Sequence, residues 1–194
     1  QFQTISAALN AVANMTRNDS QRVTIQVAPG NYEEMLVITQ PNVTLKNSSS
    51  SPDTSLLNQG TDISPNAVRI TSYYGHGYNY YSMDANQKWN QELLNVNMEN
   101  GMYSYTNTGV GTTNGSFWNA TVVVSANGFE AEGIIFENSF NQYISAKEAQ
   151  DTVVPWTSGS PGARPAVLKN TAVQNKSLVE RAAALAVTAT GDRK

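Results

Sequence analysis

Apolar positions in this chain fall in short runs, each stopped by a residue that favours a turn. Val23-Thr24-Ile25-Gln26-Val27 alternates apolar with polar and runs into Pro29-Gly30-Asn31. Met35-Leu36-Val37-Ile38 follows, then Gln40-Pro41-Asn42, then Val43-Thr44-Leu45. Further along, Ala67-Val68-Arg69-Ile70, Ala120-Thr121-Val122-Val123-Val124 and Gly133-Ile134-Ile135-Phe136 repeat the pattern, and Val179 to Thr188 returns to it. Such runs predict strands, and the Pro, Gly and Asn clusters predict corners between them. Within the last segment, Arg181-Ala182-Ala183-Ala184-Leu185 by itself fits a helix equally well. Very short strands, many corners and little helix are how a coiled β-solenoid reads. No strict short repeat is present, so the solenoid is expected to be irregular.

One good helix is predicted, over residues 4 to 15. Ile5, Ala8, Leu9 and Val12 fall at i, i+3, i+4 and i+7, with Thr4 or Ser6 available as cap. An amphipathic helix ahead of stacked strands suits the open end of a solenoid, whose first coil otherwise exposes its apolar interior. Two excursions interrupt the strands, at about 72–118 and 141–177. The first holds Tyr73, Tyr74, Tyr78, Tyr80, Tyr81, Tyr103, Tyr105, Trp89 and Trp118. The second holds a possible short helix around Ala146–Gln150. Excursions this long within one domain point to function.

Composition narrows the classes. A chain of 194 residues is naturally one domain with a sizeable core. Charged residues make up only 14% and the formal net charge is −3, with no basic run, so nucleic acid is not an expected partner. No apolar run approaches membrane-spanning length, and a membrane is not expected either. Cysteine is absent and His76 is the only histidine, which removes disulfides, thiolate metal sites and multi-histidine sites. No metal and no cofactor are expected.

His76 lies between Gly75 and Gly77 in the aromatic excursion, and no nucleophile or orienting carboxylate can be assigned to it, so packing among tyrosines is the expected role. Glu33-Glu34 and Glu130-x-Glu132 are the paired carboxylates. In an extended segment Glu130 and Glu132 share a face, where two carboxylates can split their pKa values and divide acid and base work. Solvated acids beside a glycine turn are the competing reading. The tyrosines offer flat amphipathic platforms for sugar rings, or a small core of their own. The sequons at Asn42-Val43-Thr44 and Asn119-Ala120-Thr121 read as structural, since Asn tolerates solenoid corners and can stack there.

These pieces resemble one family. Gln1-Phe2-Gln3-Thr4-Ile5 with Ala7-Ala8 resembles the Phe-x-Thr-Ile-x-x-Ala opening of pectin methylesterases. Gly30-Asn31-Tyr32-Glu33-Glu34 is similar to their Gly-x-Tyr-x-Glu signature, and Pro41-Asn42-Val43-Thr44-Leu45 to the Pro-Asn-Ile-Thr-Leu that follows it. Ser116-Phe117-Trp118-Asn119-Ala120-Thr121-Val122 resembles Thr-Phe-x-Ser-Ala-Thr-Val. Gly128 to Ser139 resembles Gly-Phe-x-Ala-x-Asp-Ile-Thr-Phe-x-Asn-Thr. Arg181 to Leu185, followed by Gly191-Asp192, resembles Gln-Ala-Val-Ala-Leu-Arg-Val-x-Gly-Asp. The motifs occur in the family's order, and the two excursions look like bacterial-type insertions.

The resemblance implies a right-handed parallel β-helix of the pectin lyase-like kind, a single-stranded solenoid with an N-terminal capping helix. It implies hydrolysis of methyl esters on polygalacturonate with release of methanol, by a secreted or extracytoplasmic monomer that binds pectin. It also implies an Asp nucleophile and an Asp acid/base in motifs expected after Lys194, so residues 1–194 read as the N-terminal portion of a longer domain, inactive alone. Ser116 takes the place of the family's substrate-contacting Thr. Arg181 stands where the family has the oxyanion-binding Gln, and a guanidinium can donate there or pair with a uronate. Tyr32 and Glu34 are expected to fix the turn between coils. The alternative is a non-catalytic polysaccharide-binding solenoid or adhesin. A calcium-dependent lyase on this fold needs clustered Asp and Glu ligands, which the sequence does not offer.

Overall fold

A computed structural model of the chain describes residues 1–74, 120–140, 142–151 and 183–187. Its strands are too short to form a sheet with their sequence neighbours, so each finds its partner one coil away. Strands β1 (Val23–Val27), β4 (Val43–Asn47) and β7 (Glu130–Glu132) make one sheet, here called A. Strands β2 (Gly30–Glu33), β5 (Val68–Ser72) and β8 (Ile134–Asn138) make sheet B, and β3 (Leu36–Ile38), β6 (Val122–Val124) and β9 (Leu185–Val187) make sheet C. Every pairing is parallel. Consecutive strands pass from A to B to C and back, so each coil adds one rung to all three sheets. This is a parallel β-helix.

Strict in-register stacking explains the apolar runs. Ile25 lies against Leu45 and Leu45 against Ala131, Tyr32 against Ile70 and Ile70 against Phe136, and Leu36 against Val122. Ile38, Val43, Leu45, Val68, Ile70 and Val122 are wholly buried in one core. Each such side chain contributes about 1.5–3 kcal/mol by leaving water.

Helix α1 (Ile5–Ala13) closes the first coil. Thr4 caps it, its side chain accepting from Ala7 N, and Ile5, Ala8 and Val12 are the buried face, as the spacing predicts. Ile5 and Val12 join the core formed by the strands. The short helix α2 (Ala146–Gln150) also falls where expected, with Ser145 accepting from Glu148 N.

One segment differs from the reading of the sequence. Gly30-Asn31, which with Pro29 reads as a turn, instead opens strand β2, because β5 supplies a full parallel ladder from Val68 to Thr71. Long-range pairing overrides local turn preference here. The strand character expected from Val179 to Thr188 holds where that stretch is described, with Leu185–Val187 forming β9 on β6.

The corners are polar and stacked. Asn42 has φ +54, its Nδ2 donates to Asp19 O, and its Oδ1 accepts from Arg22. This supports the structural reading of that Asn. One coil on, Gly128 has φ +71, and a Cβ there would lie 2.2 Å from Asn42 Oδ1. Glycine is required at 128 both for its conformation and for the approach of the stacked Asn. Asn47 bridges coils likewise, with Nδ2 donating to Asn66 O and Gly133 O.

Candidate functional site

Both excursions leave the coils at the corner that follows sheet B. Ser116 and Arg181, the expected substrate-binding residues, and His76, expected to pack among tyrosines, lie outside the described residues. The corner itself is tightly bonded. Thr121 Oγ1 donates to Glu137 O at 2.6 Å, so Ser72 Oγ must be the donor in its 2.9 Å bond to Thr121. Ser139 Oγ donates to Ser72 O, and Asn138 Nδ2 reaches Tyr74 O and Ala183 O. The tyrosines that begin the first excursion are buried, with ring centroids 4.8 Å apart and Tyr73 donating to Asp151. These two are buried rather than laid open as a platform.

Beside this corner lies a cleft of about 190 Å³, walled by Ser6, Glu33, Ser72, Tyr73, Tyr74 and Lys147. It draws on α1, the end of β2, the end of β5 and α2. Glu34 also borders it, yet its carboxylate is committed to the helix. Oε2 accepts from Ile5 N at 2.9 Å, and Oε1 from Ser6 N at 3.1 Å and Ser6 Oγ at 2.8 Å. A carboxylate on the free N–H groups of a helix start is a favourable pairing with its dipole. Glu34 is thus structural, as expected, but it fixes the capping helix to the coil rather than the turn. Tyr32 is structural too, donating to Ala28 O.

Glu33 differs from its neighbour. In the extended chain it projects to the other side, on the outer face of sheet B opposite Thr71. Its Oε1 is shielded from solvent and has no hydrogen-bond partner among the described residues. Lys147 Nζ donates to the backbone oxygen of Glu33 at 3.1 Å, setting a cation at the same edge.

Solved structures similar to the chain include two pectin methylesterases. One, in complex with hexasaccharide VII, is 22% identical with a TM-score of 0.48, and the match covers 100% of this chain and 36% of that one. Another, from Yersinia enterocolitica, is 20% identical with a TM-score of 0.47, covering 96% of this chain and 37% of that one. The chain thus spans little more than a third of either. No protein-family model and no curated protein matches it.

The rest of the outer face of sheet B is roofed by the segment carrying α2. Arg69, wholly buried, donates from Nε to Asn31 Oδ1 at 2.7 Å and from Nη1 to Asn58 O at 3.3 Å. Its Nη1 lies 3.5 Å from Glu137 Oε2, and the Tyr143 ring covers the guanidinium at 5.4 Å. Glu137 Oε1 accepts from both Thr71 and Tyr143. Burial, then the bond to Glu137, pushes the Tyr143 phenol far above its ordinary value. This network escaped the reading of the sequence. Its signal was a charged residue at an outward position in each of two apolar strands, Arg69 in β5 and Glu137 in β8.

Glu130 and Glu132 do share a face, on the outside of sheet A, but each has its own cation. Glu130 pairs with Arg22 at 3.2 Å, and Glu132 pairs with Lys46 on the adjacent strand. Separately neutralised carboxylates do not form an acid/base dyad, and the competing surface reading holds. Among the described residues no cluster of three or more His, Cys, Asp or Glu side chains could hold a metal ion.

Proposed function

We propose that the chain is part of an extracytoplasmic carbohydrate esterase of the pectin methylesterase type, acting on methyl-esterified polygalacturonate. What supports this is the meeting in space of motifs that carry the resemblance. The Thr4-Ile5 opening is bonded through Ile5 N and Ser6 N to Glu34 of the Gly-x-Tyr-x-Glu segment. The Pro41-Asn42 corner stacks against Gly128, which opens the Gly-Phe segment, and that segment runs on into β7 and β8. A chain that had these motifs by chance would have no reason to pack them on one another.

In this reading a carboxylate contributed by sequence after Lys194 attacks the ester carbonyl, and a second carboxylic acid protonates the departing methanol. Water then cleaves the acyl-enzyme, with the second group now acting as base. Arg181 donates to the tetrahedral oxyanion or pairs with a neighbouring uronate, and Ser116 contacts the substrate. No cofactor is needed.

The test is methanol release from methylated pectin. The parent protein is expected to release it, and residues 1–194 alone are not. Arg181→Ala in the parent is expected to cut kcat/KM by about a hundredfold, the usual scale for one oxyanion donor. A parent that binds pectin but releases no methanol would replace this reading with the non-catalytic solenoid.

A further inference from the structure

We infer that the cleft between α1, β2 and α2 receives one uncharged sugar residue and turns away a free uronate, with Glu33 as the discriminating group. The identity of the polymer rests on the pectin reading above, whereas the preference for a neutral sugar rests on the cleft alone. A volume of about 190 Å³ equals roughly six water molecules at about 30 Å³ each. That is room for a single sugar ring of a longer oligomer.

The hydrogen-bond inventory then selects the chemistry. Glu34 has spent both oxygens on the start of α1. Glu33 has an oxygen without a donor among the described residues. A shielded acceptor left unmade is costly, and a ligand hydroxyl satisfies it once the carboxylate turns it outward. The last torsion of a glutamate is soft, so either oxygen can turn to the cleft. Lys147 has three N–H donors and places one on Glu33 O. The others serve a hydroxyl or ring oxygen. An acceptor and a donor at one edge are what a pair of sugar hydroxyls requires.

Charge sets the selectivity. A uronate carboxylate entering here meets Glu33 in a cleft partly withdrawn from water, where like charges repel more strongly than in bulk. Lys147 is solvent-exposed and already bonded to a carbonyl, so it offsets little of that repulsion. Methyl esterification, or a neutral hexose, removes the penalty.

The experiment is calorimetric titration of the 194-residue chain with three hexasaccharides: fully methyl-esterified oligogalacturonide, the unesterified form, and an uncharged hexose oligomer unrelated to pectin. The esterified oligomer is expected to bind about tenfold more tightly than the acid form at neutral pH. Glu33→Gln keeps the shape and removes the charge, and should bring the two within about threefold. Lys147→Ala, an exposed site with little risk to folding, should weaken all neutral binding severalfold. Esterified oligomer bound with a preference that Glu33→Gln leaves intact overturns the cleft assignment and spares the pectin reading. Binding of the unrelated hexose oligomer alone, sensitive to both substitutions, supports the cleft and counts against pectin. No binding of any neutral oligomer, or tighter binding of the acid form, overturns the cleft assignment.

Discussion

Replacing Glu137 by Gln removes one charge and almost no volume, and it should cost this fold about 3 kcal/mol. Arg69 is wholly buried, and its Nη1 stands 3.5 Å from Glu137 Oε2. At that separation a unit pair interacts by roughly 4–5 kcal/mol with an effective dielectric of about 20. Glu137 retains some exposure, and a Gln carbonyl can still accept from Thr71 and Tyr143, so part of that figure is kept. What is lost is the compensation of a guanidinium that cannot reach water.

Urea unfolding followed by circular dichroism measures the effect. With a slope of about 2 kcal/mol/M, typical of a small domain, the midpoint should fall by about 1.5 M. Adding Arg69→Met to Glu137→Gln removes the stranded charge, so the double variant should be more stable than the sum of the single losses, by about 2 kcal/mol. A Glu137→Gln midpoint within about 0.3 M of wild type, or strict additivity in the cycle, would refute the reasoning.

Other outcomes follow from single contacts. Glu34→Ala frees Ile5 N and Ser6 N, and should cost about 1–2 kcal/mol. Its amide exchange should quicken in α1 while β4 and β5 stay protected; uniform change would count against a local cap. Gly128→Ala forces a Cβ to within 2.2 Å of Asn42 Oδ1 at φ +71, for a loss of about 2 kcal/mol or more. Pairing it with Asn42→Gly should recover part of that loss in the same denaturation assay, by lifting the clash but not the strain. The folded Tyr143 phenol titrates above its unfolded value of about 10, so its stabilisation is complete below that pH and is lost as pH rises beyond it. Wild type should therefore lose more stability than Tyr143→Phe between about pH 9 and 11; equal losses would contradict this. Asp53, held down to about 2 chiefly by the Ser55 backbone N–H, stabilises its loop above about pH 4 and releases it as pH falls toward 2. The Ser55 amide chemical shift followed against pH reads this directly, and a shift that stays constant between about pH 4 and 2 would contradict it.

The sequence carried the solenoid because its coils are locally written. Val23–Val27, Leu36–Ile38 and Val122–Val124 alternate or cluster apolar residues between turn formers, and Ile5, Ala8 and Val12 mark the capping face without outside help. Strand β2 was hidden because Gly30-Asn31 is good turn chemistry, and only β5 makes it a strand. The cleft was hidden for a similar reason. Its walls come from Ser6, Glu33, Ser72 to Tyr74 and Lys147, which only the winding of the coils brings together. The resemblance singled out Glu34, two residues past Tyr32, while Glu33 stood out only as its partner in a pair of adjacent carboxylates. The winding gives Glu34 a helix to hold and leaves Glu33 a cleft to line.

Why the Glu33 side chain is left free of the ladder at that corner follows from how a β-helix uses its faces. Sheet A turns its outward charges into pairs, Arg22 with Glu130 and Lys46 with Glu132. Sheet B covers Arg69 and Glu137 with Tyr143. The outward row Val37, Val123 and Ala186 of sheet C is apolar. Helix α1 occupies the open end of the core. A corner is where chain can be inserted without breaking a ladder, since the strands on both sides keep their register. Glu33 stands at such a junction with its backbone fixed in the ladder and by Lys147, and its side chain outside both. A recognition group on a rigid strand beside tolerant loops is well placed to discriminate. Substitutions of its side chain should therefore alter ligand choice far more than stability, the reverse of what Glu137, fixed beneath the roof of sheet B, is expected to do.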